Sequence, residues 1–146
     1  MKRILIVDDD AAIRWLYSEE LSEEGYRVFT TNNYSALEHV ISQHKPDLIL
    51  FDIRTGKMGD LDVLYHVRES EPEIPIVLCS GCPEFPAHFK TWIADSYVGK
   101  SSDLNALKVH IAAALKKKRV GHKALHSADN KPHHFPDKQH ELEAFT

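Results

Sequence analysis

Residues 4–10 read ILIVDDD, four branched apolar residues running straight into three aspartates. An apolar run without alternation suits a strand buried on both faces. The three carboxylates at its end repel one another, and where such groups are close and partly desolvated at least one pKa rises unless a cation joins them. A cation is therefore the first partner this stretch asks for.

Outward from that run the same pattern repeats. RILIV (3–7) reads as a buried strand, and residues 11–25 as a helix with Ile13, Leu16, Tyr17 and Leu21 inward and Gly25 as its stop. YRVFT (26–30) is strand-like. NYSALEHVISQHK (33–45) carries Leu37, Val40 and Ile41 at helical spacing behind a cap at Asn32 or Asn33, and Pro46 closes it. DLILF (47–51) predicts a third strand, LDVLYHVRES (61–70) a short helix, IPIVLCS (74–80) a fourth strand and DSYVGK (95–100) a fifth. SSDLNALKVHIAAALKKKR (101–119) is the last amphipathic helix, capped by Ser101 or Ser102. Between the fourth and fifth strands, GCPEFPAHFKTWIA (81–94) is the place for a fourth helix, where Pro83 and Pro86 leave room for only a short one. Five βα units therefore fit residues 1–119. The expected fold is α/β: a five-stranded parallel sheet covered on both faces. Residues 120–146 lose all periodicity, are rich in His, Lys, Asp and Pro, and are expected to form a flexible tail.

At 146 residues, 42% hydrophobic and 27% charged, the chain has the size and balance of one soluble globular domain. No apolar run approaches the roughly 18 residues of a membrane span, and MKRILIVDDD turns acidic too soon for a signal peptide, so the cytoplasm is the expected home and no membrane the expected partner. Two cysteines, Cys79 and Cys82, are too few and too close for a secreted disulfide framework. The net charge of −4 hides an asymmetry: residues 1–115 hold 11 Lys and Arg against 18 Asp and Glu, residues 116–146 hold 7 against 4. Phosphate contacts need clustered Lys and Arg, so the acidic body is not expected to bind nucleic acid.

In an open parallel sheet, ligands bind outside the carboxyl ends of the strands. Asp8, Asp9 and Asp10 follow the first strand, Asp52 the third, Ser80 the fourth and Lys100 the fifth, so all six are expected at one edge. Carboxylates in that number make a poor packing cluster and a good site for a hard cation such as Mg²⁺, which takes oxygen ligands and keeps several waters.

Together ILIVDDDAAIR, PDLILFDIR, PIVLCSG and YVGK, in this order, resemble the signature blocks of response-regulator receiver domains of two-component signalling. The resemblance runs over residues 1 to 119. It implies the doubly wound, flavodoxin-like (βα)5 fold with strand order 2-1-3-4-5. It further implies Asp52 as phosphoacceptor, and Mg²⁺ held by Asp8, Asp9, Asp52 and the backbone carbonyl of Arg54, with Asp8 acting largely through water. Lys100 would pair with the phosphoryl group, Ser80 would be the switch hydroxyl and Tyr97 the rotating aromatic. Backbone N–H groups of Ile53 and Gly81 would add donors to the phosphoryl oxygens. The partners implied are a sensor histidine kinase or phosphotransfer protein upstream, and downstream a protein docking on the fourth helix, fifth strand and fifth helix. Asp10 has no such role and reads as a helix-start residue favoured by the dipole.

This chain departs from the family pattern in three places, one of them the switch segment between Ser80 and Tyr97, which is shorter than is common and carries Pro83 and Pro86. The loop after Asp52 runs TGKMGD (55–60) where the family has Met-Pro-x-Met-Asp-Gly, which trades a stiff proline for a freer glycine and leaves Asp60 as the expected N-cap of the next helix. Ser101 stands in place of a proline that the family holds cis; a trans peptide there is expected to let Lys100 point differently.

Other readings are weighed against this one. CSGC (79–82) has the spacing of a redox pair, but Cys79 belongs to a buried strand. The tail histidines His122, His126, His133, His134 and His140 lack the spacing of a zinc finger, and KKKR (116–119) ends a helix whose dipole favours cations. A haloacid-dehalogenase-like phosphatase needs a second aspartate two residues after the first, where Arg54 stands. The expected protein is a stand-alone receiver, a phosphoacceptor rather than an enzyme. The alternative is a receiver that takes no phosphate and serves as a constitutive docking module.

Overall fold

The computed structural model describes residues 1–54, 59–80, 93–100 and 103–117, without the side chain of Ser80. The expected elements are found in order. They are β1 (Arg3–Val7), α1 (Ala11–Glu23), β2 (Arg27–Thr31), a 3₁₀ turn (Tyr34–Ala36) leading into α2 (Leu37–His44), β3 (Leu48–Asp52), α3 (Gly59–Ser70), β4 (Ile76–Ser80), β5 (Ser96–Gly99) and α4 (Leu104–Lys116). All strands pair in parallel in the order β2-β1-β3-β4-β5. The last helix of the sequence reading is thus α4. The expected fourth helix and the tail fall on 81–92 and 118–146, outside the described residues.

Unbroken apolar strands make sense once the two faces are separated. Ile4, Ile6, Leu48, Leu50, Val77 and Cys79 point to one side, where Tyr17 and Leu21 of α1 and Leu107 and Ile111 of α4 cover them. Leu5, Val7, Ile49, Phe51, Ile76 and Leu78 point to the other, beneath Leu37 and Ile41 of α2 and Leu61, Leu64 and Val67 of α3. Side chains alternate along a strand, so a sheet covered twice needs an apolar residue at every position. Each fully buried Ile or Leu contributes about 1.5–3 kcal/mol relative to exposure.

Helix ends follow local chemistry. Asp10 caps α1 by accepting the N–H groups of Ala12 and Ile13. Gly25, with φ +97°, ends it: its N–H donates to the Ser22 carbonyl and that of Tyr26 to the Leu21 carbonyl, a Schellman closure. Asn33 caps the 3₁₀ turn by accepting from the Ala36 N–H, and Lys45, left-handed at φ 49°, ends α2 before Pro46.

Three expectations are corrected. Leu16 is exposed: Ile13, Tyr17 and Leu21 form the i, i+4, i+8 line that meets the sheet, and Leu16 sits about 100° round the helix from Tyr17. The cap of α4 is Asp103, which accepts from the Asn105 N–H, and not Ser101 or Ser102, which lie outside the described residues. Asp60 is no helix cap either, because Arg54 claims its carboxylate.

Candidate functional site

The chain runs from β1 outward to β2 and then crosses to β3 on the other side of β1, so the direction of winding reverses between β1 and β3. That reversal opens a crevice at the carboxyl ends of these two strands, and Asp8 and Asp52 stand there. The Asp8 N–H donates to the Thr31 carbonyl, prolonging the β1–β2 ladder, and its own carbonyl accepts Nη1 of Arg14 at 2.8 Å. Its carboxylate accepts the Asp10 N–H at 2.9 Å. Asp8 and Asp52 are buried, Asp9 is exposed, and one carboxylate oxygen from each lies within 4.8 Å of the other two.

Lys100, one residue past β5, reaches across to this cluster. Its Nζ lies 3.1 Å from Asp8 Oδ2 and 3.1 Å from Asp52 Oδ1. The peptide it shares with Ser101 falls outside the described residues, but the expected redirection of Lys100 is not found. Burial first, and then the neighbouring charge of Asp8, push Asp52 up to about 6, although the hydrogen bond and charge of Lys100 pull against them. Burial lowers the pKa of Lys100, yet its bonds to Asp52 and Asp8 outweigh this and raise it. Two of the three carboxylates thus share one ammonium, and a hard divalent cation suits the oxygen donors that remain.

The other expected site residues are placed as follows. Ile53 is buried, and Tyr97, opposite Leu78 in the sheet, is half-buried against the same apolar cluster as Ile93 and Ala94. Gly81, Cys82 and the Ser80 hydroxyl lie outside the described residues, as does 55–58 of the altered loop. Cys79 is buried against Tyr17, whose hydroxyl is 3.9 Å from its Sγ, and burial pushes the thiol up to about 11. A thiol held protonated in this way does not suit thiolate chemistry.

Sequence reasoning missed two residues here. Tyr34, buried in the 3₁₀ turn, donates its hydroxyl to the Asp52 carbonyl at 2.7 Å, and burial raises its pKa. Asp60 accepts three bonds from Arg54: the backbone N–H at 2.9 Å, Nε at 3.0 Å and Nη2 at 2.6 Å. The guanidinium, raised in pKa chiefly by this bonding to Asp60, lies over the Tyr34 ring with Cζ 3.6 Å from the centroid. The available signal was Arg54 itself, a cation directly after an apolar strand, where a counterion is wanted.

Comparison with known proteins bears on the family and the fold. The family model described as response regulator receiver domain matches residues 4–112. The regulatory protein AtoC of Escherichia coli is 31% identical over 88% of this chain, and the transcriptional regulator NtrC of Rhizobium meliloti 32% over 77%. The chain spans only 29% and 24% of their lengths. Among solved structures, the response regulator TrrA of Thermotoga maritima in complex with Mg²⁺-BeF is similar with a TM-score of 0.70 and 33% identity, over 78% of this chain and 99% of that one. TrrA in complex with the histidine kinase ThkA gives a TM-score of 0.70 and 34% identity, covering 79% and 99%. No helix among the described residues is long and apolar enough to cross a membrane. In sequence, in strand order and in the match over 4–112, this chain belongs to the family of response regulator receiver domains.

Proposed function

We propose that this receiver accepts a phosphoryl group on Asp52 from a histidine kinase or phosphotransfer protein, with Mg²⁺ held by Asp8, Asp9, Asp52 and the Arg54 carbonyl. The observation that carries the proposal is the pair of 3.1 Å contacts from Lys100 to Asp8 and Asp52 inside a carboxylate cluster short of positive charge. Support comes also from TrrA, solved both with Mg²⁺-BeF and with a histidine kinase.

In the reaction an Asp52 carboxylate oxygen forms a bond to phosphorus while the donor's P–N bond breaks, and the electron pair returns to the imidazole nitrogen, which then takes a proton. Asp52 has to be ionised; burial raises its pKa to about 6 without metal, and a bound divalent cation would favour the ionised form. Lys100 is already within bonding distance of Asp52 Oδ1 and can exchange that contact for a phosphoryl oxygen, with Asp8 holding the ammonium meanwhile. A bound Mg²⁺ would supply the rest of the charge cancellation on the equatorial oxygens. The protein turns over no substrate of its own; the aspartyl phosphate is the signal, passed on through the Ser80 hydroxyl and Tyr97 to a cytoplasmic partner at the surface that includes β5 and α4.

Incubation with a small phosphodonor and Mg²⁺, followed by intact mass, tests this reading. One added phosphoryl group is expected in the wild type and none in Asp52→Asn or after chelation of the metal. No gain in the wild type would leave the constitutive docking module as the better account.

A further inference from the structure

Asp60 and Tyr34 have no part in the chemistry just described, yet both are buried beside the chain as it leaves β3. Asp60, 1% exposed, holds Arg54 by its backbone N–H and by two guanidinium nitrogens. Tyr34 supplies the ring face on which that guanidinium rests and donates its hydroxyl to the carbonyl of Asp52. Residues 52 and 54 are thereby bridged through Tyr34, and residue 54 is bound to α3 through Asp60.

An arginine at this position poses a physical problem for a metal site. It carries five donors two residues from a carboxylate, and bidentate guanidinium–carboxylate pairs are among the strongest charge-assisted bonds a protein makes. The Asp9 charge already acts on it. An unrestrained guanidinium would settle on the acidic cluster and take the electrostatic place of a divalent ion. Asp60 meets the same bidentate demand elsewhere, and Tyr34 adds a cation–π contact.

We propose that Asp60 and Tyr34 are positioning residues that hold the Arg54 guanidinium off the cluster of Asp8, Asp9 and Asp52, so that those carboxylates stay available to a divalent cation. The inference rests on the metal-dependent reading above and concerns affinity for the metal alone.

The test is Mg²⁺ titration of the full chain by calorimetry, with no phosphodonor, and with a metal-free thermal melt of each variant to establish folding. Asp60→Asn is expected to weaken Mg²⁺ binding about tenfold, the scale on which second-layer partners act. In an Arg54→Ala background the same substitution should change nothing, because no guanidinium remains to be released. Tyr34→Leu should act in the same direction, less strongly, and also only when Arg54 is present. Unchanged affinity in Asp60→Asn overturns the inference. So does a loss that persists with Arg54→Ala, which would mean that Asp60 merely shapes the loop. Should Asp60→Asn fail to fold, Tyr34→Leu with and without Arg54→Ala is judged by the same criteria. A wild type that binds no Mg²⁺ overturns the metal-dependent reading and this inference together; a wild type that binds while the variants match it overturns this inference only.

Discussion

Two ends of one sheet bury charge in opposite ways. At the amino ends of β4 and β5, Arg68 is 2% exposed, with Nε on the Ile93 carbonyl, Nη1 on the carbonyls of Glu71, Pro72 and Ile74, and Nη2 3.5 Å from Asp95. Asp95 in turn accepts the Ile76 N–H, so the cation and the carboxylate together tie the starts of β4 and β5. At the carboxyl ends, the carboxylates of Asp8 and Asp52 meet the ammonium of Lys100, and burial first, then the charge of Asp8, holds Asp52 well above its ordinary value. A buried charge met by several carbonyls and a counterion serves the fold. Crowded, partly buried carboxylates cost stability, and such perturbed groups mark a candidate ligand site.

The largest effect is expected at the amino ends. Arg68→Met takes the guanidinium away from Asp95 and from several buried carbonyls, which should destabilise the protein by about 3–5 kcal/mol in chemical denaturation. The folded fraction should still take up Mg²⁺ at the far end of the sheet. Loss of metal binding along with stability would show that the two ends are not independent.

The opposite sign is expected at the open end. Asp52 has a folded-state pKa of about 6 against an ordinary 3.8, so the folded state binds its proton more tightly than the unfolded state does. Stability from this group is present below about pH 4, falls as pH rises towards 6, and is fully lost above it. Asp52→Asn escapes that loss. Without metal it should be more stable than the wild type by about 1–3 kcal/mol at pH 7–8, with the gap closing towards pH 4. Mg²⁺ should narrow the gap by stabilising the wild type and not the variant. A gap independent of pH would mean that charge crowding is not its cause.

Much of this contrast was legible in the sequence, because it depends on where strands end. ILIVDDD and DLILFD place acids at two neighbouring strand ends, the doubled apolar pattern demands a sheet covered twice, and Asp10 stands where a helix dipole favours an acid. The cap rule was applied to the wrong acid: Asp10, read for the dipole alone, accepts two amides of α1, while Asp60, read as a cap, is not one. An acid in the first turn of a helix ordinarily accepts one or two helix amides, but Arg54 offers it three donors, two of them on the charged guanidinium, and the stronger set wins. Tyr34 was passed over because a tyrosine in a polar loop gives no periodic signal; its burial follows from the packing of Phe51 edge-on against its ring, a contact between distant parts of the chain. Leu16 failed for the converse reason, since apolar spacing shows which side of a helix is inward but not how wide a stripe its neighbours cover.

The smallest effects compare two buried tyrosines, one on each face of the sheet. Tyr34 donates to a carbonyl oxygen at 2.7 Å, whereas among the described residues the Tyr17 hydroxyl meets a thiol at 3.9 Å. Removing the first hydroxyl strands the Asp52 carbonyl in a buried place, and Tyr34→Phe should cost about 1–2 kcal/mol. Tyr17→Phe exchanges a weak sulfur contact for relief from desolvation, and should stay within about 0.5 kcal/mol of the wild type. Because phenylalanine keeps the ring beneath Arg54, Tyr34→Phe should leave Mg²⁺ affinity close to that of the wild type while Tyr34→Leu does not. Equal costs for the two hydroxyls in urea denaturation would mean that the bond to the Asp52 carbonyl contributes no more than an ordinary core contact. The ring, and not the hydroxyl, would then be the part of Tyr34 that matters to the site.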